Sequence, residues 1–232
     1  MFTPTGASCL TRPSSDPMTP LAARLAALRQ ALPPATRLLA VSKGQPAAAI
    51  REAVAAGQRS FGESRLQEAV AKQAELVDLE PLDWHFIGRL QANKARGVLR
   101  AFTTIHGLDS LPLAQRLARI AAEERCSPVV FCQVKLRPDP AKTGFDPQEL
   151  REHWSALRQL EPLRLQGLMT IAPLGLSTAA QRQLFADCAA LAADLGVPEL
   201  SMGMSADWRE AAAAGSTWVR IGSALFGPRP GS

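Results

Sequence analysis

Short apolar runs alternate with longer helical stretches along this chain, and this alternation limits the possible folds more than any other feature. Each run has the length of a buried strand, and every run except the last is followed by a segment with apolar residues at helical spacing. Such alternation favours a parallel sheet, because parallel strands need a crossover between them. The predicted strands are Leu38–Val41, Arg59–Phe61, Trp84–Ile87, Thr103–Leu108, Pro128–Leu136, Leu165–Met169, Leu200–Met204 and Thr217–Ile221.

Eight such units in 232 residues predict an α/β fold, a single (β/α)8 TIM barrel, for which about 200 residues is near the lower size limit. A doubly wound open sheet is the alternative, since periodicity does not show whether a sheet closes. A further helix is predicted over Leu21–Leu32, ended by two prolines. Residues 1–18 are rich in Ser, Thr and Pro and are predicted to be a disordered tail, so residues 19–232 are expected to form one barrel domain.

The composition argues against several classes of protein. The chain is 47% apolar and 20% charged, which is typical of a globular protein. No apolar run approaches the roughly 18 residues that span a bilayer, and no secretory leader is recognisable, so we expect a cytoplasmic protein with no membrane contact. The net charge is +5, but the basic residues are dispersed and aromatic residues make up 5%, so no nucleic-acid partner is expected.

Residues for metal, disulfide or phenol chemistry are scarce. The chain has no tyrosine, and its cysteines form no Cys-x-x-Cys pair. We therefore predict reduced thiols and no metal site. The cysteines are Cys9, Cys126, Cys132 and Cys188, and the histidines are His85, His106 and His153.

The carboxyl ends of the predicted strands are where either α/β architecture binds its ligands. Lys43 ends the first strand, in the segment LLAVSKGQP, and the chain has only five lysines. One interpretation is a surface lysine leaving an apolar strand. The other is an amine at the mouth of the barrel, where partial desolvation lowers its pKa and allows it to form a Schiff base with a carbonyl compound.

A phosphate site is suggested by the last two strand ends. Ser205 follows the seventh strand, and Gly222 and Ser223 follow the eighth, where glycine lets the backbone approach an anion and serine adds donors. Arg220 lies in the otherwise apolar last strand, where it needs a partner. That partner is either a carboxylate such as Asp207 or a ligand.

A lysine, a phosphate cradle and a strand arginine together suggest a phosphorylated carbonyl ligand. Pyridoxal 5′-phosphate (PLP) fits all three parts, because lysine takes the aldehyde, the N–H donors take the phosphate and arginine meets the pyridine nitrogen. A sugar-phosphate aldolase would fit the first two.

Several longer segments resemble the YggS/PROSC family of pyridoxal phosphate homeostasis proteins over about residues 20–228. They are AVSKGQP, FGESRLQEA, WHFIGRLQANK, KTGF, GLMTI and GMSADWREAAAAGSTWVRIGSALFG. The family is similar to the barrel domain of alanine racemase without that enzyme's second domain. The resemblance implies a PLP-binding barrel with the cofactor held as a Schiff base on Lys43, used for intracellular storage, buffering or delivery without catalytic turnover. The cofactor-binding residues that it implies are Lys43, Ser64, Met204, Ser205, Arg220, Gly222 and Ser223.

The sequence departs from the family pattern at two positions. Ser64 stands where the family usually has asparagine, which shortens a contact near the cofactor. Gln45 stands where a basic residue is common, which weakens the case for a secondary PLP site. Lys142 matches a family lysine linked to secondary PLP binding or release.

Two other functions remain as alternatives. A PLP-dependent amino-acid racemase would need an acid–base partner for the lysine; alanine racemase uses a tyrosine, and here His85 or Lys142 would have to serve. A nucleic-acid binder is suggested only by the high isoelectric point. We expect a monomer that holds PLP, with PLP-dependent apo-enzymes as candidate recipients.

Overall fold

The strands close into one barrel. A computed structural model describes residues 20–228, in which eight parallel strands pair in sequence order and β1 pairs with β8. The open-sheet alternative is therefore wrong and the predicted TIM barrel is confirmed. The strands are β1 Arg37–Val41, β2 Ser60–Glu63, β3 Asp83–Phe86, β4 Thr104–Leu108, β5 Val129–Gln133, β6 Arg164–Met169, β7 Glu199–Met204 and β8 Trp218–Ile221.

The helices lie around the outside of the strands, and all but the first and the last connect one strand to the next. They are α1 Leu21–Ala31, α2 Ala47–Ala55, α3 Leu66–Glu75, α4 Ala95–Ala101, α5 Leu111–Glu123, α6 Pro147–Arg158, α7 Thr178–Leu195, α8 Trp208–Ala213 and α9 Ser223–Phe226. A short 3-10 helix, Ala92–Lys94, precedes α4. The predicted N-terminal helix is confirmed as α1, and its buried Arg24 donates a hydrogen bond to the Leu225 carbonyl in α9.

Side chains alternate between the inside of the barrel and its outer layer. The inner apolar cluster is formed by Leu39, Phe131, Met169 and Trp218. A larger cluster fills the space between the strands and the helices, and it includes Leu38 and Ala40 from the same strand as Leu39. This period of two follows from strand geometry and determines which residues reach the barrel mouth.

The prediction for the fifth strand was too long. Pro128–Leu136 was predicted as one strand, but β5 ends at Gln133 and Val134 forms a separate bridge with Phe145. The cause is a competing pairing, because the Phe145 amide donates to the Gln133 carbonyl and the Lys135 amide donates to the Phe145 carbonyl. The last strand was expected to have no helix after it, and α9 follows it.

The predicted tail, residues 1–18, lies outside the described residues. Within residues 20–228, no helix is both long enough and apolar enough to cross a membrane.

Candidate functional site

The alternation along β1 directs Lys43 into the mouth of the barrel. Leu39 belongs to the inner cluster and Val41 lines a cavity at the carboxyl ends of the strands. Lys43 continues this series and lines the same cavity, half-buried. Ala40 and Ser42, the alternate residues, face the helices. The first strand therefore delivers an amine to the place where this fold binds ligands.

One cavity of about 480 Å³ gathers six of the seven sequence-predicted residues, namely Lys43, Met204, Ser205, Arg220, Gly222 and Ser223. Its wall also includes residues that the sequence did not single out as cofactor contacts: Val41, Gln45, Ile87, Ile171, Ala206, Gly227 and Pro228. Ser64, the seventh, lies in an adjoining cavity of about 160 Å³ that shares Lys43. Two apolar side chains, Ile87 and Ile171, give the larger cavity a surface on which a planar ring can pack.

The loops after β7 and β8 are joined by one serine. The Ser205 hydroxyl accepts hydrogen bonds from the backbone amides of Gly222 and Ala224, each at 3.3 Å. These long bonds bring two amides and a hydroxyl to one point of the cavity wall, a donor set suited to an anion. Just before this loop, Gly203 in β7 has φ +86° where the pairing with β8 shifts register, and a Cβ there would lie 2.6 Å from the Ala211 Cβ.

Arg220 is buried at the cavity floor, with 4% of its surface exposed. Its NH1 donates to the Ser201 carbonyl at 2.5 Å and to the Ser201 hydroxyl at 2.8 Å, and its NH2 donates to the Thr170 carbonyl at 2.8 Å. No ion pair of Arg220 with Asp207 occurs among the described residues, although both are buried. Burial lowers the pKa of Arg220 to about 10, and the Asp207 carboxylate opposes that shift. The guanidinium is still charged at neutral pH.

An outer ion network, defined here as Lys72, Glu63 and Glu68, fixes the backbone on both sides of Lys43. Lys72 Nζ lies 2.7 Å from Glu63 Oε1 and 2.6 Å from Glu68 Oε1, and it donates to the Ser42 carbonyl at 2.8 Å. Glu68 Oε1 accepts the amide of Gly44 at 2.5 Å. The Ser42 carbonyl, before Lys43, is thus bonded to the Lys72 ammonium, and the Gly44 amide, after it, is bonded to the Glu68 carboxylate.

The carboxylates of the outer ion network respond differently to burial. Burial raises the pKa of Glu63 and outweighs the opposing hydrogen bonds from Lys72 and Ser42. Burial also acts to raise the pKa of Glu68, but its bonds to Lys72 and the Gly44 amide leave it below its usual range. Glu63 Oε2 is buried without a hydrogen-bond partner.

Sequence reasoning did not identify this network. Two signals for it exist. Glu68 and Lys72 are four residues apart on α3, and Glu63 is a charged residue at the end of an apolar strand.

The remaining residues named from the sequence are separated. Gln45 is buried in the cavity wall, whereas Lys142 is exposed and lines neither cavity. His85 lies inside the barrel, bonded to Asp83 and His106, and does not line the cavity. Neither alternative acid–base group is therefore at the site.

Known proteins are similar to this chain in sequence and in fold. A family model for the alanine racemase N-terminal domain matches residues 18–230. A pyridoxal phosphate homeostasis protein of Synechocystis sp. is 47% identical over 85% of this chain and 94% of its own length. A protein with the same description from Pseudomonas aeruginosa is 48% identical over 90% of this chain and 93% of its own length. The chain belongs to this pyridoxal phosphate homeostasis family.

Solved structures agree with the family membership. PipY of Synechococcus elongatus with PLP bound has a TM-score of 0.87 and 54% identity, over 89% of this chain and all of that one. Alanine racemase of Clostridium difficile is 18% identical with a TM-score of 0.74, covering 92% of this chain and 58% of that one. The racemase likeness shows the fold alone.

Proposed function

We propose that this chain binds PLP in the 480 Å³ cavity, with the aldehyde held as a Schiff base on Lys43, and acts in PLP homeostasis. The observation that carries the proposal is that one cavity brings Lys43 together with the Ser205, Gly222 and Ser223 loops and with Arg220. Family membership and the PLP bound to PipY support it.

The donor set of the cavity suits the three parts of PLP. Lys43 supplies an amine for the aldehyde. Ser205 and the amides that it joins supply uncharged donors for the phosphate. Arg220 supplies a permanent cation at the floor, and Ile87 and Ile171 supply apolar walls.

The same donor set favours holding PLP over using it catalytically. When bound, PLP supplies an electrophilic aldehyde and a pyridine ring that can act as an electron sink. Arg220 has no acidic proton to give at neutral pH, so it leaves the ring nitrogen unprotonated and the sink weak. The chain has no tyrosine, and neither His85 nor Lys142 lines the cavity. We infer a carrier without turnover, in which an incoming amine displaces Lys43.

The cellular setting belongs to the same proposal. We place the protein in the cytoplasm as a monomer, with PLP-dependent apo-enzymes as recipients and neither a membrane nor a nucleic acid as partner. Light scattering of the purified chain would give 24.8 kDa for the monomer and a multiple of that mass for an assembly.

Lys43→Ala tests the covalent link, with Lys135→Ala as the control because Lys135 is exposed and outside the cavity. Wild type and the control should show imine absorbance with PLP, and Lys43→Ala should not. Borohydride reduction followed by peptide mass spectrometry should locate PLP on Lys43. Imine absorbance that survives in Lys43→Ala would refute the lysine assignment.

Delivery is tested separately from binding. PLP transfer to a PLP-dependent apo-enzyme should be faster from the loaded protein than its spontaneous release into buffer. Equal rates would leave buffering as the role. Deuterium exchange at Cα of amino acids in heavy water would instead support the racemase alternative.

A further inference from the structure

A chain of side-chain hydrogen bonds crosses the inside of the barrel beneath the cavity. Asp83 Oδ2, at the start of β3, lies 2.6 Å from His85 Nε2. His85 Nδ1 lies 2.8 Å from His106 Nε2, and His106 Nδ1 lies 2.8 Å from the Ser201 hydroxyl. Ser201 accepts from Arg220 NH1 at 2.8 Å. We call Asp83, His85, His106 and Ser201 the inner chain.

The two ends of the inner chain determine the direction of the bonds that they make. Arg220 can only donate, and an ionised carboxylate can only accept. Burial acts to raise the pKa of Asp83, but hydrogen bonds from His85, Ser60 and Thr103 leave it below its usual range, so Asp83 is ionised at neutral pH. His85 therefore donates Nε2–H to Asp83.

With both rings neutral, one arrangement satisfies the whole chain. His85 Nδ1 then accepts from His106 Nε2–H, and His106 Nδ1 accepts from the Ser201 hydroxyl, whose oxygen accepts from Arg220. If His85 were protonated, His106 would have to donate from Nδ1 to Ser201. The Ser201 proton would then have no acceptor among the described residues, inside a core where its exposure is 0%. Burial, with the charge of Arg220, also lowers the pKa of His106 well below its usual value.

Aromatic packing prevents the rings from turning to other partners. The His106 ring stacks on Phe131, with centroids 4.5 Å apart and planes 11° apart. His85 meets the Trp218 ring edge-on, with centroids 4.9 Å apart. Ring orientation and bond direction are thus fixed together.

We infer that the inner chain holds the Arg220 guanidinium in place for the ligand and that His106 and Ser201 are its main positioning residues. Three of the five N–H groups of Arg220 are used by protein acceptors, which leaves two for a ligand in the cavity. The role of the inner chain toward the PLP ring rests on the proposed function.

Ser201→Ala removes the central hydroxyl with little change in volume. Ser216→Ala is the matched control, because Ser216 is 2% exposed, its hydroxyl donates to carbonyls of β7 and β8, and it has no hydrogen bond to Arg220 among the described residues. We expect Ser201→Ala to weaken PLP binding about tenfold, as for the loss of one hydrogen bond to a charged group. Ser216→Ala should bind PLP with an affinity within about twofold of wild type, even if it lowers the unfolding temperature as much as Ser201→Ala does.

The tautomers of His85 and His106 can be measured in the absence of any ligand. Imidazole 15N spectra of the PLP-free protein should show His85 and His106 neutral with protonated Nε2, and Ser201→Ala should move the His106 Nδ1 signal while Ser216→Ala does not. If Ser201→Ala fails to fold, Asp83→Ala can replace it in this test, because Asp83 is half-exposed at the other end of the inner chain. Asp83→Ala should move the His85 Nε2 signal.

Two results would overturn the inference. One is a His106 ring that is charged or protonated at Nδ1. The other is an equal loss of PLP affinity in the two serine variants. If the wild type binds no PLP, the proposed function fails and the positioning role fails with it, whereas the spectra still decide whether the directed chain exists.

Discussion

Lys72→Met is the most informative change to the outer ion network. Methionine keeps the length of the lysine stem and removes the cation. Glu63, with 0% of its side chain exposed, then loses its charge partner, and the Ser42 carbonyl and Glu68 lose a donor. The change therefore strands a buried charge and loosens the backbone on both sides of Lys43.

The expected loss is large because the pair is buried. Removing one partner of a buried ion pair costs about 3–5 kcal/mol of unfolding free energy, since the remaining charge is uncompensated. Lys72 and Glu63 have 8% and 0% exposed side chains, and Glu63 Oε2 already has no hydrogen bond, so little solvent is present to replace the cation. The exposed Arg51–Asp78 pair is the control, and Arg51→Met should change stability far less.

Unfolding in urea can be monitored by the fluorescence of the four tryptophans. It gives the free energy of unfolding in water and the slope of that free energy against urea concentration. Adding Glu63→Gln to Lys72→Met should recover about 1–3 kcal/mol, because it removes the stranded charge. PLP affinity of Lys72→Met should fall together with stability, since Lys43 is held through its neighbours.

The loss of stability in Lys72→Met should depend on pH in one direction. Burial raises the folded-state pKa of Glu63 above its ordinary 4.5, and losing Lys72 raises it further. Protonation of Glu63 removes the stranded charge, so the deficit of Lys72→Met should be largest above the folded-state pKa of Glu63 in the variant. It should shrink as the pH falls through that pKa towards the lower folded-state pKa of the wild type. A deficit below about 1 kcal/mol, or one that does not change with pH, would refute the reasoning.

Three further predictions concern other parts of the molecule. Gly203→Ala should lower the free energy of unfolding by more than about 2 kcal/mol in urea, because of its positive φ and the 2.6 Å approach to Ala211; a wild-type midpoint would contradict this. Ser205→Ala should weaken PLP about tenfold but leave unphosphorylated pyridoxal unchanged in equilibrium titrations, and an equal loss for both would remove Ser205 from the phosphate site. Burial raises the pKa of Cys132 and Cys188 to about 12, so mass spectrometry should find both unalkylated by iodoacetamide at pH 8 and alkylated after unfolding.

The fold was predictable because its signals are local. The alternation of strands and helices, and the residues at the strand ends, depend on neighbours in sequence, and six predicted residues meet in one cavity. The fifth strand was mispredicted because its end depends on Phe145, which pairs with it from the following loop. An apolar run shows that a segment is buried but not which partner ends its pairing.

The two polar networks were not predictable for a different reason. Asp83 and His85 are two residues apart and share a face of β3, which the sequence does show. The bond from His85 to His106 and the bond from His106 to Ser201 depend on how far each strand is staggered against the next as the barrel closes, including the shift between Ile105 and Leu108. The residue pattern of a single segment does not show this stagger.

Strand alternation also explains why the two networks are separate. Ser42 points to the helices and meets Glu63, whereas Lys43 points into the cavity, so one strand end joins the outer ion network to the ligand site through its backbone. On β7 and β8, Ser201 and Arg220 both point inward and join the inner chain to the same site through side chains. The cavity is thus held at its lysine from outside the barrel and at its arginine from within. Changes to the two networks should therefore affect different ends of the same ligand.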